Sequence, residues 1–171
     1  PMIVSWPARI RDQGGLRGQL IDVVDIAPTL LEAAGAQFPS AVNGVAELPV
    51  AGRSFAKTFA RHKAKGPRTT QYFELRGYRA IIDGRWRAVT MHDCGQPLEA
   101  DAWELFDLET DPAEANDLSK VHPQIVERLK ALWQAEWQKY APGPFTGPSK
   151  ATCAMNRYFD GPLHHARGVT K

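Results

Sequence analysis

The sequence predicts an α+β fold: a four-stranded antiparallel sheet packed by a long C-terminal helix and preceded by a strand–helix unit. Residues 70–108 contain four short segments rich in aromatic and aliphatic side chains, joined by connections that favour antiparallel pairing. Residues 122–140 repeat apolar side chains at helical spacing. Residues 2–34 begin with an apolar run and pass, after a polar loop, into another helical pattern.

The first element is a short buried strand predicted over residues 2–6, which Pro7 ends. A polar, Gly-rich loop follows over residues 10–19. A lone strand leaves its edge and its apolar faces without partners, so it needs a larger sheet to join. Because the chain also begins inside an apolar run, we expect it to be a piece of a longer protein.

A helix is predicted next, with Asp25 as its N-cap and Pro28 in its first turn, where the missing N–H costs little. Leu30 and Leu31 supply its apolar face. Gly35 suits the left-handed position that ends many helices.

A long connection is predicted over residues 36–52, with a turn at Asn43-Gly44. A short helix over residues 54–60 and a basic loop over residues 62–68 then lead to the sheet.

The sheet has four predicted strands, over residues 70–75, 78–82, 86–91 and 103–108. Asp83-Gly84 makes the turn between the second and third strands, and an acidic loop separates the third from the fourth.

The helix predicted over residues 122–140 has the clearest periodicity in the chain. Its apolar residues share one broad face: Ile125, Val126, Leu129, Leu132, Trp133, Trp137 and Tyr140. We expect this face to cover one side of the sheet. Residues 141–171 carry four Pro and four Gly, so we interpret them as a tail or as the approach to another domain.

Composition excludes several classes of partner. The chain has 171 residues, of which 43% are hydrophobic and 23% charged, so it can build a packed core. A net charge of +2 gives no reason to expect nucleic acid or an anionic membrane surface as a partner. No apolar run approaches the roughly 20 residues that a membrane span needs, and the first ten residues make a poor signal peptide.

The two cysteines, Cys94 and Cys153, are far apart in sequence and form no C-x-x-C pair. We expect two unpaired thiols. A disulfide is the alternative, should the fold bring the two residues together.

Histidines offer no metal pair, because none has a partner at i+3 or i+4 on a predicted helix. His122 lies at a helix start, and His164-His165 lies in the tail, where a solvated loop is favoured over loose metal binding. The remaining two are His62, in the basic loop, and His92, which we place near a cleft while favouring a structural role.

Other candidate chemistry is equally sparse. Gly14, Gly15 and Gly18 do not sit between a strand and a helix, as a phosphate loop requires. The scattered carboxylates Glu47, Glu74 and Asp83 show no acid–base pair, and packing explains the five tryptophans. We therefore assign no catalytic, cofactor-binding or metal-binding residue to this chain.

A set of segments, taken in order, resembles the C-terminal part of a type I sulfatase, in particular the long bacterial arylsulfatases, and covers about residues 1–140. They are PMIVSWP (1–7), IDVVDIAPTLLE (21–32), VNGV (42–45), GRSF (52–55), TQYFEL (70–75), Gly77, RAI (79–81), WRA (86–88), WELFDL (103–108), Asp111, Glu114, Asp117-Leu118 and the helix over 133–140.

The resemblance implies a division of the chain. Residues 1–36 correspond to the last strand–helix unit of an alkaline-phosphatase-like α/β catalytic domain. Residues 37–67 are a connecting segment, residues 68–140 are the sulfatase C-terminal subdomain, and residues 141–171 are the tail. The implied partner is the remainder of the catalytic domain.

The resemblance also implies chemistry that this chain does not carry. These enzymes hydrolyse sulfate esters through a formylglycine, made from the Cys or Ser of a C/S-x-P-x-R signature, and a calcium ion. Those residues precede the matched segment in the family, so the chain alone is expected to be inactive. Ser5-Trp6-Pro7-Ala8-Arg9 fits the signature by coincidence, because a Gly-rich loop follows it instead of a helix.

Two other interpretations stay open. The chain could be a non-catalytic module that docks on another protein or dimerises through an exposed strand at residues 2–6. It could also belong to a related phosphoester hydrolase. The sequence leaves the compartment open between bacterial cytoplasm and periplasm.

Overall fold

The computed structural model describes residues 2–12, 14–141 and 143–160. The chain divides into two compact units, Pro1–Thr69 and Thr70–Lys171, here called the first and second units. His164 and His165, and the tail beyond residue 160, lie outside the described residues. Within those residues, no helix combines the length and the apolar character that a membrane span requires.

The first unit contains the predicted helix as α1, Ile26–Ala34, preceded by a 3₁₀ turn over Val23–Asp25. Gly35 has φ +68° and donates its N–H to the carbonyls of Glu32 and Leu31, which ends the helix as predicted. Asp25 occupies the N-cap position, but its side chain makes no hydrogen bond to α1. The N-cap predicted at Asp25 is therefore confirmed by position, while its carboxylate accepts from the N–H of Asp22 in the turn before the helix.

The strand predicted over residues 2–6 is wrong, because these residues form no strand. A turn follows at once, in which the N–H groups of Arg9 and Ile10 donate to the carbonyl of Trp6 at 2.9 and 2.8 Å. A strand exists only where a neighbour accepts its hydrogen bonds. The first unit's described hairpin pairs its two strands with each other, so residues 2–6 gain no partner there. Dimerisation through an exposed strand at residues 2–6 therefore lacks the strand edge that it would need.

That hairpin joins β1, Ala41–Val42, to β2, Val45–Ala46. Asn43 and Gly44 form its turn with φ +51° and +79°, which confirms the predicted turn. A short helix α2, Lys57–Ala60, follows and is shorter than predicted.

The second unit is built on an antiparallel sheet in the order β3-β4-β5-β6. Its strands are β3, Thr70–Leu75, β4, Tyr78–Asp83, β5, Trp86–Thr90, and β6, Trp103–Asp107. All four predicted strands are confirmed to within one residue at either end.

The predicted long helix is α3, Pro123–Tyr140, and it packs on the sheet as expected. The buried core consists of Ile81, Ala88 and Leu105 from the sheet and Val126, Leu129 and Trp133 from the helix. Trp133 connects helix α3 to the sheet, because its indole Nε1 donates a hydrogen bond to the carbonyl of Phe73 on β3 at 2.9 Å. The fold class is therefore confirmed for the second unit.

A further helix, α4, covers Lys150–Asp160, where no element was predicted. The chain leading to it packs on α3, with the Phe145 ring 5.2 Å from that of Trp133 and 5.1 Å from that of Trp137. Within α4, Cys153 forms a disulfide with Cys94, at a Cα–Cα distance of 5.7 Å. The prediction of two unpaired thiols is wrong, because the fold brings these residues together over 59 positions.

Candidate functional site

A cleft of about 560 Å³ lies in the second unit between residues 92–99 and residues 146–154. The first wall is the connection between β5 and β6, and the second is the segment that enters α4. The Cys94–Cys153 disulfide joins the two walls and lines the cleft.

His92 lies in this cleft, as the sequence analysis placed it. Its Nδ1 is 3.0 and 3.1 Å from the two carboxylate oxygens of Asp101. The side chains of His92 and Asp101 are only 7% and 2% exposed. Because a carboxylate accepts hydrogen bonds, Nδ1 is the donor in this contact.

Asp101 is held from its other side by Arg79, whose Nη2 forms an ion pair with the carboxylate. The guanidinium lies 5.3 Å from the ring centroid of Trp103, 5.6 Å from that of Trp133 and 5.3 Å from that of Phe145. Burial lowers the pKa of Arg79, although Asp101 acts in the opposite direction. Arg79 therefore fixes Asp101, and Asp101 in turn fixes the ring of His92.

The open side of the cleft carries charge of both signs. Lys150 is exposed at the start of α4, and Glu99 is exposed on the opposite wall. The Ser149 hydroxyl accepts from the N–H of Thr152 at 3.1 Å, which caps the first turn of α4. Leu98 and Pro148 add apolar surface between the charges.

The first unit contains a separate buried polar cluster around the carboxylate of Asp25, which is fully buried. It accepts hydrogen bonds from the backbone N–H groups of Arg53 and Asp22, each at 2.8 Å. Arg68 adds two side-chain contacts, one of them from Nε at 3.0 Å. Burial raises the pKa of Asp25, but these bonds outweigh it and hold the pKa below its ordinary value.

A second contact ties the same region together. The hydroxyl of Thr29 donates to the carbonyl of Asp25 at 2.6 Å and accepts from the N–H of Phe55 at 3.0 Å. Gly52 passes so close to the carbonyl of Val24 that a Cβ there would overlap it. The GRSF segment, residues 52–55, is therefore held against the start of α1 by hydrogen bonds and close backbone packing.

The structure separates the remaining candidates. Glu74 accepts from the N–H of Gly77 in the β3–β4 turn, and Asp83 pairs with Arg128 on α3. His122 places its ring 5.5 Å from that of Trp86 at the start of α3. None of these contacts forms a reactive pair.

Within residues 2–12, 14–141 and 143–160, no group of three or more His, Cys, Asp or Glu side chains is arranged to hold a metal ion.

Ser5 lies in the segment that fits the C/S-x-P-x-R signature. It is exposed and is followed by a turn, and the described residues contain no helix before Val23. The nucleophile of the genuine motif leads into a helix, so this geometry differs from the motif.

Three features of the site were missed by sequence reasoning: the disulfide, the Arg79–Asp101 pair and the Asp25–Arg68 pair. Each joins residues that are 22 or more positions apart. No periodicity or short spacing in the sequence marks such a pair. The alternating pattern of β4 identifies Arg79 as a polar strand residue but does not indicate its partner, Asp101.

Comparison with known proteins gives the family. The family model described as "N-sulphoglucosamine sulphohydrolase, C-terminal" matches residues 1–139. This chain belongs to the sulfatase family, as a C-terminal part. The match spans both units described above.

Sulfatases of several organisms are similar to it. An uncharacterized sulfatase of Schizosaccharomyces pombe is 32% identical over 147 residues, which cover 78% of this chain and 24% of the relative. Arylsulfatase A of Bos taurus is 30% identical over 162 residues, covering 81% of this chain and 30% of the relative. The sulfatase chain thus spans about a quarter to a third of the length of these relatives.

Solved structures share the fold. A Bacteroides fragilis protein described as a sulfatase matches with a TM-score of 0.55 and 23% identity, covering 79% of this chain and 28% of that one. A structure concerned with metabolism of multiple glycosaminoglycans by Bacteroides thetaiotaomicron matches with a TM-score of 0.54 and 20% identity, covering 78% and 28%. At this identity the likeness establishes the fold of the sulfatase chain.

Proposed function

We propose that this chain is the C-terminal part of an arylsulfatase that hydrolyses sulfate esters, and that the chain alone is inactive. The family match over residues 1–139 carries the proposal. The four-stranded sheet with its covering helix supports it. The relatives extend well beyond the matched region, because the chain covers only 24% and 30% of two of them.

The reaction in the proposed parent needs a nucleophile and a Lewis acid. A formylglycine would supply the first, and calcium bound by Asp and Asn side chains would offset charge on the sulfate oxygens. The described carboxylates do not fit a calcium site. Asp25, Asp83, Asp101 and Asp107 are each engaged by an arginine. We therefore assign both groups to the remainder of the catalytic domain.

The first unit would contribute a docking surface for that remainder. Its exposed apolar side chains include Ile3, Leu16, Val23, Leu30, Val45 and Leu48. So much exposed apolar surface is typical of a face that another part of a protein covers. We propose that residues 1–36 complete the α/β catalytic domain and that residues 37–67 connect it to the subdomain over 68–140. Residues 141–171 are then a tail rich in Pro and Gly.

The test is turnover of an aryl sulfate by the chain alone, with and without calcium, beside a polypeptide extended by the coding sequence upstream of Pro1. We expect no turnover by the chain alone and calcium-dependent turnover by the extended protein, with a C/S-x-P-x-R signature in the added part. An aryl phosphate assayed in parallel separates a sulfatase from a phosphoester hydrolase.

Two results would contradict the proposal. Turnover by the chain alone that is abolished by Ser5→Ala would make Ser5 the nucleophile. An extended protein that hydrolyses only the aryl phosphate would assign the other reaction class.

A further inference from the structure

The segment that follows α3, residues 143–155, passes the end of the sheet at which the β3–β4 turn lies, and it is here called the strap. The Phe145 ring of the strap lies 5.2 Å from that of Trp133 on α3. Pro148 packs on the β3–β4 turn so closely that a Cβ on Gly77 would lie 2.8 Å from its Cδ. Packing therefore seats the strap on both layers of the second unit.

A disulfide supplies a further attachment, which is covalent. It joins Cys153 in α4 to Cys94 in the connection between β5 and β6. Helix α4 has 11 residues, and none of the side chains of residues 150–155 is buried. Helices of this length are marginal in water unless they pack an apolar face against a neighbour. The position of α4 and its helical state therefore depend on the bond.

The bond acts by keeping the strap close to the surface on which it packs. A cross-link reduces the conformational entropy that the chain can gain when the strap leaves that surface. Without the bond, contacts such as those of Phe145 and Pro148, which are both partly exposed, must offset the entropy cost of ordering residues 143–155. Loss of the bond therefore favours the undocked strap.

The disulfide is placed where a reductant can reach it. Cys94 and Cys153 both line the cleft of about 560 Å³, and neither residue is buried. Their neighbours Gly95 and Ala154 line the same cleft and are exposed. Because a thiolate must approach one sulfur of a disulfide to reduce it, accessible disulfides are the more labile ones.

We propose that the strap is a redox-sensitive device: a dithiol reductant cleaves the Cys94–Cys153 bond, and the strap then leaves the sheet while β3–β6 and α3 stay folded. One thiolate of the reductant attacks one sulfur and forms a mixed disulfide, and the other cysteine leaves as a thiolate. The second thiol of the reductant then displaces the first cysteine. The chain gains two electrons and two protons, and the reductant becomes a disulfide.

The two states expose different surfaces. In the oxidised chain, the Phe145 ring lies against the rings of Trp133 and Trp137, with the Arg79 guanidinium 5.3 Å from its centroid. Release of the strap uncovers this aromatic surface and removes one wall of the cleft. Disulfides persist in the periplasm and are reduced in the cytosol, so the docked state belongs to the first compartment and the released state to the second.

Brief deuterium labelling of the 171-residue chain, followed by mass spectrometry, tests the release. We expect the amides of residues 150–155 to be protected in the oxidised chain. After reduction with dithiothreitol they should exchange faster by about tenfold or more, because an undocked short helix opens freely. Peptides from β4, β5 and α3 should remain protected under the same labelling. Removal of the reductant and reoxidation should restore the protection of residues 150–155.

A variant without the bond separates its loss from other effects of the reductant. The double variant Cys94→Ser, Cys153→Ser should exchange like the reduced wild type over residues 150–155 and should not respond to dithiothreitol. Phe145→Leu is the matched control, because it weakens the packing of the strap but keeps the bond. Without reductant, residues 150–155 should exchange more slowly in this control than in the double variant.

Two outcomes would overturn the proposal. If residues 150–155 stay protected after reduction, packing is sufficient to hold the strap. If α4, β4 and α3 lose protection equally, the bond is needed by the whole second unit and releases no separate segment. Because the measurement involves no turnover, either outcome would leave the sulfatase assignment intact.

Discussion

Asp25 and Arg68 form an ion pair across 43 positions of the first unit, with the guanidinium Nε 3.0 Å from Oδ2. The Asp25 side chain is fully buried, while that of Arg68 is 15% exposed. The same carboxylate receives the N–H of Arg53 from the segment after the hairpin. One buried charge therefore joins the start of α1 to two later segments.

Asp25→Asn should destabilise the first unit by about 3 kcal/mol, because it leaves the Arg68 guanidinium without its buried counter-charge. Urea unfolding followed by circular dichroism measures the change. Asp12→Asn is the matched control, since Asp12 also pairs with an arginine, Arg17, but does so at the surface. The control should unfold close to the wild type; equal losses in both variants would contradict a special role for the buried pair.

Trp133→Phe should destabilise the second unit by about 1–3 kcal/mol, because it removes the Nε1 donor to the Phe73 carbonyl and leaves that acceptor unpaired. Trp137→Phe is the control. Its Nε1 donates to the carbonyl of Gly143 at 3.2 Å in an exposed position, where water can replace it. Chemical denaturation should therefore separate the two variants, and a larger loss at Trp137 would refute the interlayer role of Trp133.

The second unit could be predicted from sequence because its signals are local. Gly84, with φ +61°, ends β4 at a tight turn, and the strands beside it pair residue by residue. Helix α3 shows its buried face at helical spacing, and Val126, Leu129 and Trp133 are indeed buried. Such elements are determined by neighbours within a few positions.

The elements that were missed depend on distant partners. Residues 2–6 have the composition of a strand, but pairing decides whether a strand forms. Helix α4 is attached through Phe145 and Cys153, and neither contact leaves a periodic signal. His92 lies in the cleft as predicted, whereas Asp101, which holds its ring, was not singled out.

Reduction of Cys94–Cys153 should lower the stability of the second unit by about 4 kcal/mol, the loop-closure entropy of a cross-link over 59 positions. Thermal unfolding with and without a thiol reductant measures this loss. The double variant Cys94→Ser, Cys153→Ser should unfold like the reduced chain and ignore the reductant. Alkylation of the untreated chain should label neither cysteine; labelling of both would show that the thiols are free.

Asp107 should make the stability of the second unit depend on acid pH. Its carboxylate accepts from Arg85 Nε at 2.7 Å and pairs with Nη2, and the Arg85 guanidinium lowers the pKa of Asp107 to about 2. A carboxyl group whose pKa is lowered in the folded state adds stability to that state. This stability is fully present above the pKa of the group in the unfolded chain, which is about 3.9 for aspartate. That contribution is lost as pH falls from about 4 toward 2.

Asp107→Asn should therefore be less stable than the wild type at neutral pH, and the difference should shrink as pH falls through this window. Unfolding midpoints measured across acid pH give the comparison. Glu109→Gln is the control, because Glu109 also contacts Arg85, at 3.3 Å, but is 68% exposed. It should keep the wild-type pH dependence. A difference between Asp107→Asn and wild type that stays constant from neutral pH down to about 2 would mean that the buried geometry of Asp107, and not its charge, provides the stability.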